Sequence, residues 1–246
     1  MKRPIPASAG SPAAFGAFLR RTRTRLGALC APRGVRAFIA QLGPGARILD
    51  VGCGNNSPFK TKIQRPDLHY IGIDVGDYNQ TAPMLADEYI VATPESFGPE
   101  IQALAGKLEG VISSHNIEHC NDPELVLAAI TRALKPGGRL YLSFPSEAST
   151  RFPHRDGCLN FFDDPTHREV PDFDRIVRQL EEGGCRVTFA TRRYRPIALL
   201  LIGALLEPLS RWRGRTAMGT WALYGFEAVI WATRSPAPPS MNHRAS

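Results

Sequence analysis

The chain has 246 residues, enough for one α/β domain with a full hydrophobic core and additional segments. Hydrophobic residues make up 43% and charged residues 22%, which is ordinary for a globular protein, and no apolar run approaches the about 20 residues of a membrane-spanning helix. Five scattered cysteines without a Cys-x-x-Cys pair exclude a disulfide framework or a zinc cluster. They fit a reducing compartment, so we predict a cytoplasmic protein.

The net charge of +7 is unevenly distributed along the chain. Residues 1–49 hold nine Lys/Arg and no acid, residues 50–185 have a net charge of −9, and residues 186–246 hold nine Arg and two Glu. Basic ends around an acidic middle can attract anionic partners or can be simply solvated. No run of Lys/Arg alternates with aromatic residues as a single-strand binder needs, which disfavours nucleic acid.

The N-terminal part reads as a basic extension over 1–45, in which apolar residues at helical spacing between 13 and 42 predict two helices separated by Pro32 and Gly34. The main domain is predicted over 46–234, with a tail over 235–246. Short apolar runs predict seven strands, at 47–51, 69–73, 88–92, 110–114, 139–144, 185–190 and 226–233. Helical patterns lie between several of them, at 100–107, from 123 to about 134 and at 172–182. This alternation predicts an α/β fold with a parallel, doubly wound sheet.

The strongest local signal follows the first strand, where Asp50 leads into Gly52 and Gly54. Two close glycines allow a sharp turn and a close approach of the backbone to a ligand. Twenty residues after Gly54, Asp74 ends the second strand, where a carboxylate can accept hydrogen bonds from ribose hydroxyls. Pro58 removes an amide donor where a dinucleotide fingerprint would bind pyrophosphate. The ligand is therefore predicted to contain a ribose, and NAD is disfavoured.

The sequence resembles the class I S-adenosylmethionine-dependent methyltransferases, specifically their type 11 branch. Five stretches carry this resemblance in the family's order and spacing: 48–54 (ILDVGCG), 71–74 (IGID), 114–119 (SHNIEH), 134–138 (LKPGG) and 183–185 (GGC). Together they cover about residues 45–190. The sequence departs from the family at Asn56, where a third glycine is frequent. The resemblance implies a Rossmann-like, seven-stranded, mostly parallel sheet with helices on both faces and an antiparallel last strand.

The resemblance also implies a role for each matching position. Asp50 and the turn of Gly52, Cys53 and Gly54 would hold the methionine part of S-adenosyl-L-methionine. Asp74 would hold the ribose and Val75 would pack on the adenine, with the region of Thr93 and Glu95 completing that pocket. Three consecutive residues would close over the sulfonium side: Ser114, His115 and Asn116.

Residues His115–His119 also match His-x-x-Glu-His, a zinc-peptidase motif. That chemistry needs both histidines on one face of a helix and a third protein ligand. Here the motif directly follows a predicted strand and precedes a new helix start at Asp122-Pro123, so a loop is expected. We predict no metal site, although Asp163 or Asp164 offers a carboxylate for a divalent ion.

Two insertions are expected on the acceptor side of the site, over 145–170 and 195–224. The first should lie over the carboxyl edge of the sheet. It supplies Asp163 and His167, which together with His119 are the candidate catalytic bases for a hydroxyl acceptor. The second is apolar and then basic, so its 197–215 part predicts either a core helix or peripheral contact with a membrane.

The predicted function is methyl transfer to oxygen on a small molecule or a saccharide or glycan-linked acceptor. Two alternatives stay open: an inactive scaffold with the methyltransferase fold, and a nucleic-acid methyltransferase. The sequence does not predict the oligomeric state.

Overall fold

The computed structural model of the protein describes residues 32–78, 80 and 83–236. The predictions made for residues 1–31, and those for the tail from residue 237, lie outside the described residues. The second of the two N-terminal helices is present as α1, Val35–Ile39. No helix in the described ranges is long and apolar enough to cross a membrane.

Seven strands form one sheet in the order β3-β2-β1-β4-β5-β7-β6. The strands are β1 Arg47–Val51, β2 His69–Asp74, β3 Glu88–Val91, β4 Leu108–Ser114, β5 Leu134–Pro145, β6 Cys185–Thr191 and β7 Glu227–Arg234. Strands β1 to β5 pair in parallel, whereas β7 pairs antiparallel to both β5 and β6. The predicted fold class, including the antiparallel last strand, is confirmed. Because β1 and β4 are neighbours and the connections from them leave toward opposite sides, their carboxyl ends open a crevice.

The remaining helices are α2 Ser57–Gln64, α3 Phe97–Gln102, α4 Pro123–Ala133, α5 Phe173–Glu182, α6 Ile197–Arg213 and α7 Thr220–Tyr224. They cover both faces of the sheet. Leu49 of β1 packs into one core with α3, α4 and α5, while its neighbour Ile48 packs into a second core with α1. This alternation is the period of two that a strand with both faces buried requires.

Several element boundaries differ from the predicted ones. Helix α3 lies three residues earlier than expected, and β5 begins at Leu134, directly after α4. Leu134 already pairs with Leu108 of β4, so the Pro136–Gly138 turn lies inside the strand instead of ahead of it. Gly137 takes a positive φ of 80° there, which explains why glycine follows Pro136.

The two insertions are joined to each other by a buried ion pair. Arg155 of the first insertion, with 3% of its side chain exposed, contacts Glu207 of α6 at 2.6 Å. The same guanidinium donates to Ser210 Oγ at 2.7 Å, and Tyr224 donates its hydroxyl proton to Glu207 at 2.6 Å. Backbone bonds between Asp156 and the chain after α6 extend this contact. The two insertions therefore form one connected unit.

Candidate active site

The turn after β1 is shaped by two glycines with positive φ, 67° at Gly52 and 53° at Gly54. A Cβ at Gly52 would collide with the side chain of Asn116, which follows β4. Gly54 donates its amide proton to Asp74 Oδ2 at 2.7 Å. The turn is thus held against the ends of the two neighbouring strands. Asn56 also has a positive φ, 54°, so the departure from glycine at this position keeps the left-handed backbone.

Asp74 is buried at the end of β2 and accepts a second hydrogen bond, from the amide of Val75 at 2.7 Å. Each carboxylate oxygen has two lone-pair directions, so both oxygens keep acceptor capacity beyond these loop contacts. Val75 is 45% exposed beside it. A carboxylate and an apolar surface next to each other suit a ribose and a purine ring.

A cavity of about 650 Å³ opens where these strands end. Of the predicted cofactor residues, Gly52, Gly54, Asp74, Val75, His115 and Asn116 line it, and so does Glu95. His119 and His167 line its other side. The sequence did not point to Tyr78, Phe97 and Leu125, which also line the cavity. None of these three residues belongs to a recognisable sequence motif.

Three residues predicted to contact the cofactor do not line this cavity. Asp50 accepts a hydrogen bond from the hydroxyl of Tyr70 at 2.5 Å, and Cys53 is buried next to it in the turn. Ser114 hydrogen-bonds Ser143 on the neighbouring strand at 3.0 Å. Burial, with a further contribution from the charge of Asp74, raises the pKa of Asp50 to about 6. The polar side chains of Asp50 and Ser114 thus bind neighbouring strands, because buried polar groups need hydrogen-bond partners.

His115 connects the cofactor side of the cavity to the second insertion. Its ring stacks on Phe226 and lies against Trp221, with centroid distances of 5.9 and 5.2 Å. Its two nitrogens face Glu118 at 3.2 Å and Glu227 at 3.4 Å. Burial alone would lower the pKa of His115, but hydrogen bonds and charge from the two carboxylates outweigh it and raise the pKa to about 10. The two carboxylates on either side of the ring thus favour its protonated form.

The first insertion folds over the carboxyl edge of the sheet, as the sequence predicted. Arg168 donates its backbone amide to the carbonyl of Glu118 at 2.9 Å and its side chain to the carbonyl of His119 at 3.1 Å. These bonds bring His167 next to His119, with ring centroids 4.8 Å apart. Two of the three candidate bases thus meet at the cavity wall.

Hydrogen bonds orient both of these imidazoles. His167 must donate its Nδ1 proton to the carbonyl of Phe161, 2.5 Å away, because a carbonyl only accepts. Thr166 donates its hydroxyl proton to Asp164 at 2.6 Å, so it accepts from Nδ1 of His119 at 2.9 Å. In both neutral rings the lone pair consequently lies on Nε2. Nε2 is therefore the proton-accepting position of each neutral ring, and Nε2 of His167 lies 4.0 Å from Oδ2 of Asp164.

Asp163, the third candidate base, lies apart from this cavity. It accepts amide protons from Leu159 at 2.9 Å and Asn160 at 2.7 Å and pairs with His154 at 2.8 Å. Burial alone would raise the pKa of Asp163, but these hydrogen bonds outweigh it and lower the pKa. Its capping contacts with the Asn160 turn favour a structural role over the predicted catalytic one.

The zinc-peptidase motif does not form its usual geometry. Ile117–His119 is a single 3-10 turn, and His115 is engaged by Glu118 and Glu227. Instead, Glu118, His119 and His167 place one ligand atom each within 4.8 Å of one another. Within the described ranges this trio is the group whose donor types could hold a cation, and it includes neither Asp163 nor Asp164. The sequence could not show this trio, because His167 is distant along the chain.

A family model for a methyltransferase domain, Methyltransf_23, matches residues 19–189, which contain every motif described above. The chain belongs to this methyltransferase family. The match identifies a methyltransferase domain, as the sequence predicted.

Curated relatives match a shorter part of this methyltransferase. The ubiquinone biosynthesis O-methyltransferase of Hahella chejuensis is 33% identical over 107 residues, 41% of this chain and 43% of that protein. The protein of the same name from Pseudomonas aeruginosa is 31% identical over 106 residues, 40% of this chain and 44% of its own length. The chain thus spans less than half the length of these relatives.

Solved structures show the same fold at low sequence identity. An S-adenosylmethionine-dependent methyltransferase from Archaeoglobus fulgidus has a TM-score of 0.51 and 17% identity, with 89% of this chain and 99% of that chain covered. The 1,6-didemethyltoxoflavin-N1-methyltransferase of Burkholderia thailandensis, solved with S-adenosylhomocysteine, has a TM-score of 0.50 and 14% identity, with 95% and 94% covered. At this identity the likeness concerns the fold.

The cavity suits the cofactor on grounds of its own geometry. The absence of a Cβ at Gly52 and Gly54, the acceptor capacity of Asp74 and the exposed Val75 lie together at one sheet edge. These are the groups that a nucleoside with an attached amino acid needs. The assignment of each contact stays a prediction.

Proposed function

We propose that this methyltransferase methylates a hydroxyl oxygen of a small-molecule acceptor. In this proposal, His119 and His167 accept and relay the proton of that hydroxyl. The observation that carries the proposal is the pair of imidazoles at the cavity wall, each hydrogen-bonded through Nδ1, so that Nε2 is the proton-accepting position of each neutral ring. An alcohol or phenol loses its proton as it is methylated, so a nearby base lowers the barrier. The names of the relatives from Hahella and Pseudomonas, both O-methyltransferases, support an oxygen acceptor.

The cofactor supplies a methyl group on a sulfonium, which is already an excellent leaving group. The enzyme's own task is then to align the acceptor and to exclude water. The first insertion contributes to both tasks, because Pro165–Arg168 line one side of the cavity. Arg168 fixes this segment by hydrogen bonds to the backbone carbonyls of Glu118 and His119. In this arrangement one imidazole accepts the acceptor's proton at Nε2, and the second positions or relays it.

The test measures transfer of labelled methyl from S-adenosylmethionine to panels of phenolic, aliphatic and sugar hydroxyl acceptors. His119→Gln and His167→Gln should each reduce kcat by about 10²–10⁴-fold while S-adenosylhomocysteine affinity stays within a few-fold. His154→Gln is the matched control, since His154 lies in the same insertion, 73% exposed and outside the cavity. Unchanged kcat in both site variants would overturn the role of the histidines.

Two further outcomes separate the alternatives. Cofactor binding by the wild type without turnover on any acceptor would favour an inactive scaffold, and transfer to nitrogen acceptors alone would remove the oxygen assignment. Because Glu118, His119 and His167 can also hold a cation, each assay is repeated after dialysis against EDTA. Activity that is lost on dialysis and restored by a divalent cation would make the histidines ligands instead of bases.

A further inference from the structure

Helix α6 presents a continuous apolar stripe to solvent. Its members recur every three or four residues and are exposed by 39–80%: Ile197, Leu201, Leu205, Leu209 and Trp212. Leu205, at 80%, and Trp212, at 79%, are almost as accessible as in an unfolded chain. Exposed apolar surfaces of this kind mark contacts with partners or membranes.

The stripe does not result from a loosely packed helix. On the opposite face, Gly203 fits against Gly219 so closely that a Cβ would collide with the Gly219 carbonyl oxygen. Ser210, seven residues later, donates to the carbonyl of Arg215 at 2.6 Å and accepts from Arg155 at 2.7 Å. Helix α6 is thus attached by its small residues, and its large apolar residues face outward.

The charge around the stripe is positive. At 100° per residue, Arg211 and Arg213 lie on either side of Trp212, at the two borders of the stripe. Residues 186–246 contain only two acids, and both are engaged internally: Glu207 binds Arg155, and Glu227 faces His115. Among the described residues, no carboxylate forms an ion pair with Arg211, Arg213 or Arg215. The outward charge of this face is therefore basic.

We propose that the α6 face binds the surface of a membrane that contains anionic lipids. A helix lying in the membrane plane buries apolar side chains among the acyl chains while flanking arginines reach the headgroups. Its 17 residues extend about 25 Å, which is enough for such in-plane contact. Anionic lipid satisfies both the apolar stripe and the basic border, whereas a nucleic acid would satisfy only the arginines.

Two other partners, a second copy of the protein and its own N-terminal segment, fit the charge of the α6 face less well. A second copy would bring two arginine clusters together. The N-terminal segment, residues 1–31, carries six Lys/Arg and no acid. Like charge opposes both contacts. Side chains that protrude by 60–80%, as Leu201, Leu205 and Trp212 do, also demand a deep complementary groove from a protein but none from a fluid lipid layer.

Helix α6 is connected to the cavity through α7, which packs on the side of α6 opposite the stripe. Trp221 of α7 packs against His115, which lines the cavity. The helix that carries the stripe is therefore linked to the cavity wall through its buried side, and membrane binding by the stripe does not depend on the proposed function.

The test is co-sedimentation of the full-length protein with vesicles of phosphatidylcholine alone or with about one third phosphatidylglycerol. We expect binding to the anionic vesicles that weakens with salt, and quenching of Trp212 fluorescence by brominated acyl chains. The double variant Leu201→Gln/Leu205→Gln should reduce partitioning at least 10-fold, and Arg211→Gln/Arg213→Gln about 10-fold. Ile63→Gln on α2, 67% exposed, and Arg178→Gln on α5 are the matched controls.

Every variant is first checked for unchanged S-adenosylhomocysteine affinity, which shows that it is folded and separates this proposal from the proposed function. Absence of vesicle binding by the wild type would overturn the proposal. The proposal would also be overturned if the α6 variants still bound the vesicles while a protein lacking residues 2–31 did not. Concentration-dependent dimerisation that Leu201→Gln/Leu205→Gln abolishes would instead make the stripe an interface between copies and likewise overturn it.

Discussion

The two sides of the cavity are built in different ways. The cofactor side consists of strand ends and tight turns, in which backbone geometry and short-range hydrogen bonds place Gly52, Asp74 and Asn116. The acceptor side consists of two insertions held together by side chains distant in sequence, such as Arg155 and Glu207. The comparison teaches that the proposed donor site of this methyltransferase rests on local, rigid elements, whereas its proposed acceptor site depends on long-range contacts. Substitutions should therefore affect the two sides separably.

The largest expected effect is on the acceptor side, from Arg155→Met. Removing this buried cation leaves Glu207 and Ser210 without their partner, and the loss of one member of a buried pair costs about 3–5 kcal/mol. We expect a large fall in the free energy of unfolding, measured by urea denaturation. Arg132→Met is the control, because its hydrogen bond to Gln102 is exposed. Destabilisation by Arg155→Met no larger than that of the control would show that the two insertions are not interdependent.

Next comes Gly52→Ala, on the cofactor side. The alanine must adopt a positive φ and its Cβ collides with Asn116, so we expect a stability loss of about 2–4 kcal/mol together with loss of cofactor binding. Gly45→Ala, which also has a positive φ but no neighbour within 4 Å, isolates the backbone part of the cost. Equal destabilisation by the two alanines would mean that the contact with Asn116 contributes nothing.

Asp74→Asn should change binding more than folding. The amide keeps an acceptor oxygen for one loop bond but loses the charge, and hydrogen bonds to charged groups contribute about 1.5–3 kcal/mol. Calorimetry should show S-adenosylhomocysteine affinity reduced about 10- to 100-fold. Asp67→Asn, at an exposed turn, is the control and should leave the affinity unchanged. Retained affinity in Asp74→Asn would contradict the ribose assignment.

A pH-dependent effect is expected at the joint between the two sides, in His115→Asn. Asparagine tolerates the positive φ of 51° and keeps a donor toward Glu118, so the loss of stability at pH 7 comes from the missing positive charge between the two carboxylates. Because the folded-state pKa of about 10 exceeds the unfolded value of 6.5, the stabilisation by His115 is complete below pH 6.5 and disappears as pH rises toward 10. The Tm difference between wild type and variant should narrow over that range, and a constant difference would contradict the cationic assignment.

The fold and the cofactor side were largely predictable from the sequence. Seven apolar runs marked the seven strands, and the spacing from Gly54 to Asp74 marked two strand ends that lie side by side. The cofactor roles of Asp50, Cys53 and Ser114 stay predictions, because the side chains of these residues do not line the cavity. A motif records which residues a strand end needs, but it does not distinguish a side chain facing the ligand from one that supports the loop, as Asp50 does through Tyr70.

The acceptor side was predictable only in outline. The long segment 145–170 and its histidine pointed to the cavity, and His167 lies there next to His119. Asp163, only four residues away, instead caps a turn. Which member of the Asp163–His167 cluster reaches the cavity depends on the direction in which the loop closes, and Arg168 sets that direction by bonding to the backbone of Glu118 and His119.

By itself, the sequence determined the sheet and predicted the methyl donor, because both depend on local patterns: strand periodicity, turn glycines and acids at strand ends. Only the tertiary structure decided which groups line the proposed acceptor side of the cavity, how Nδ1 of each histidine is bound, and that α6 exposes its apolar stripe. These outcomes depend on contacts between residues that are not neighbours along the chain, such as Thr166 with His119 and Gly203 with Gly219. Spacing along the chain does not encode such contacts, since the same amphipathic pattern packs inward or outward according to what the fold places beside it.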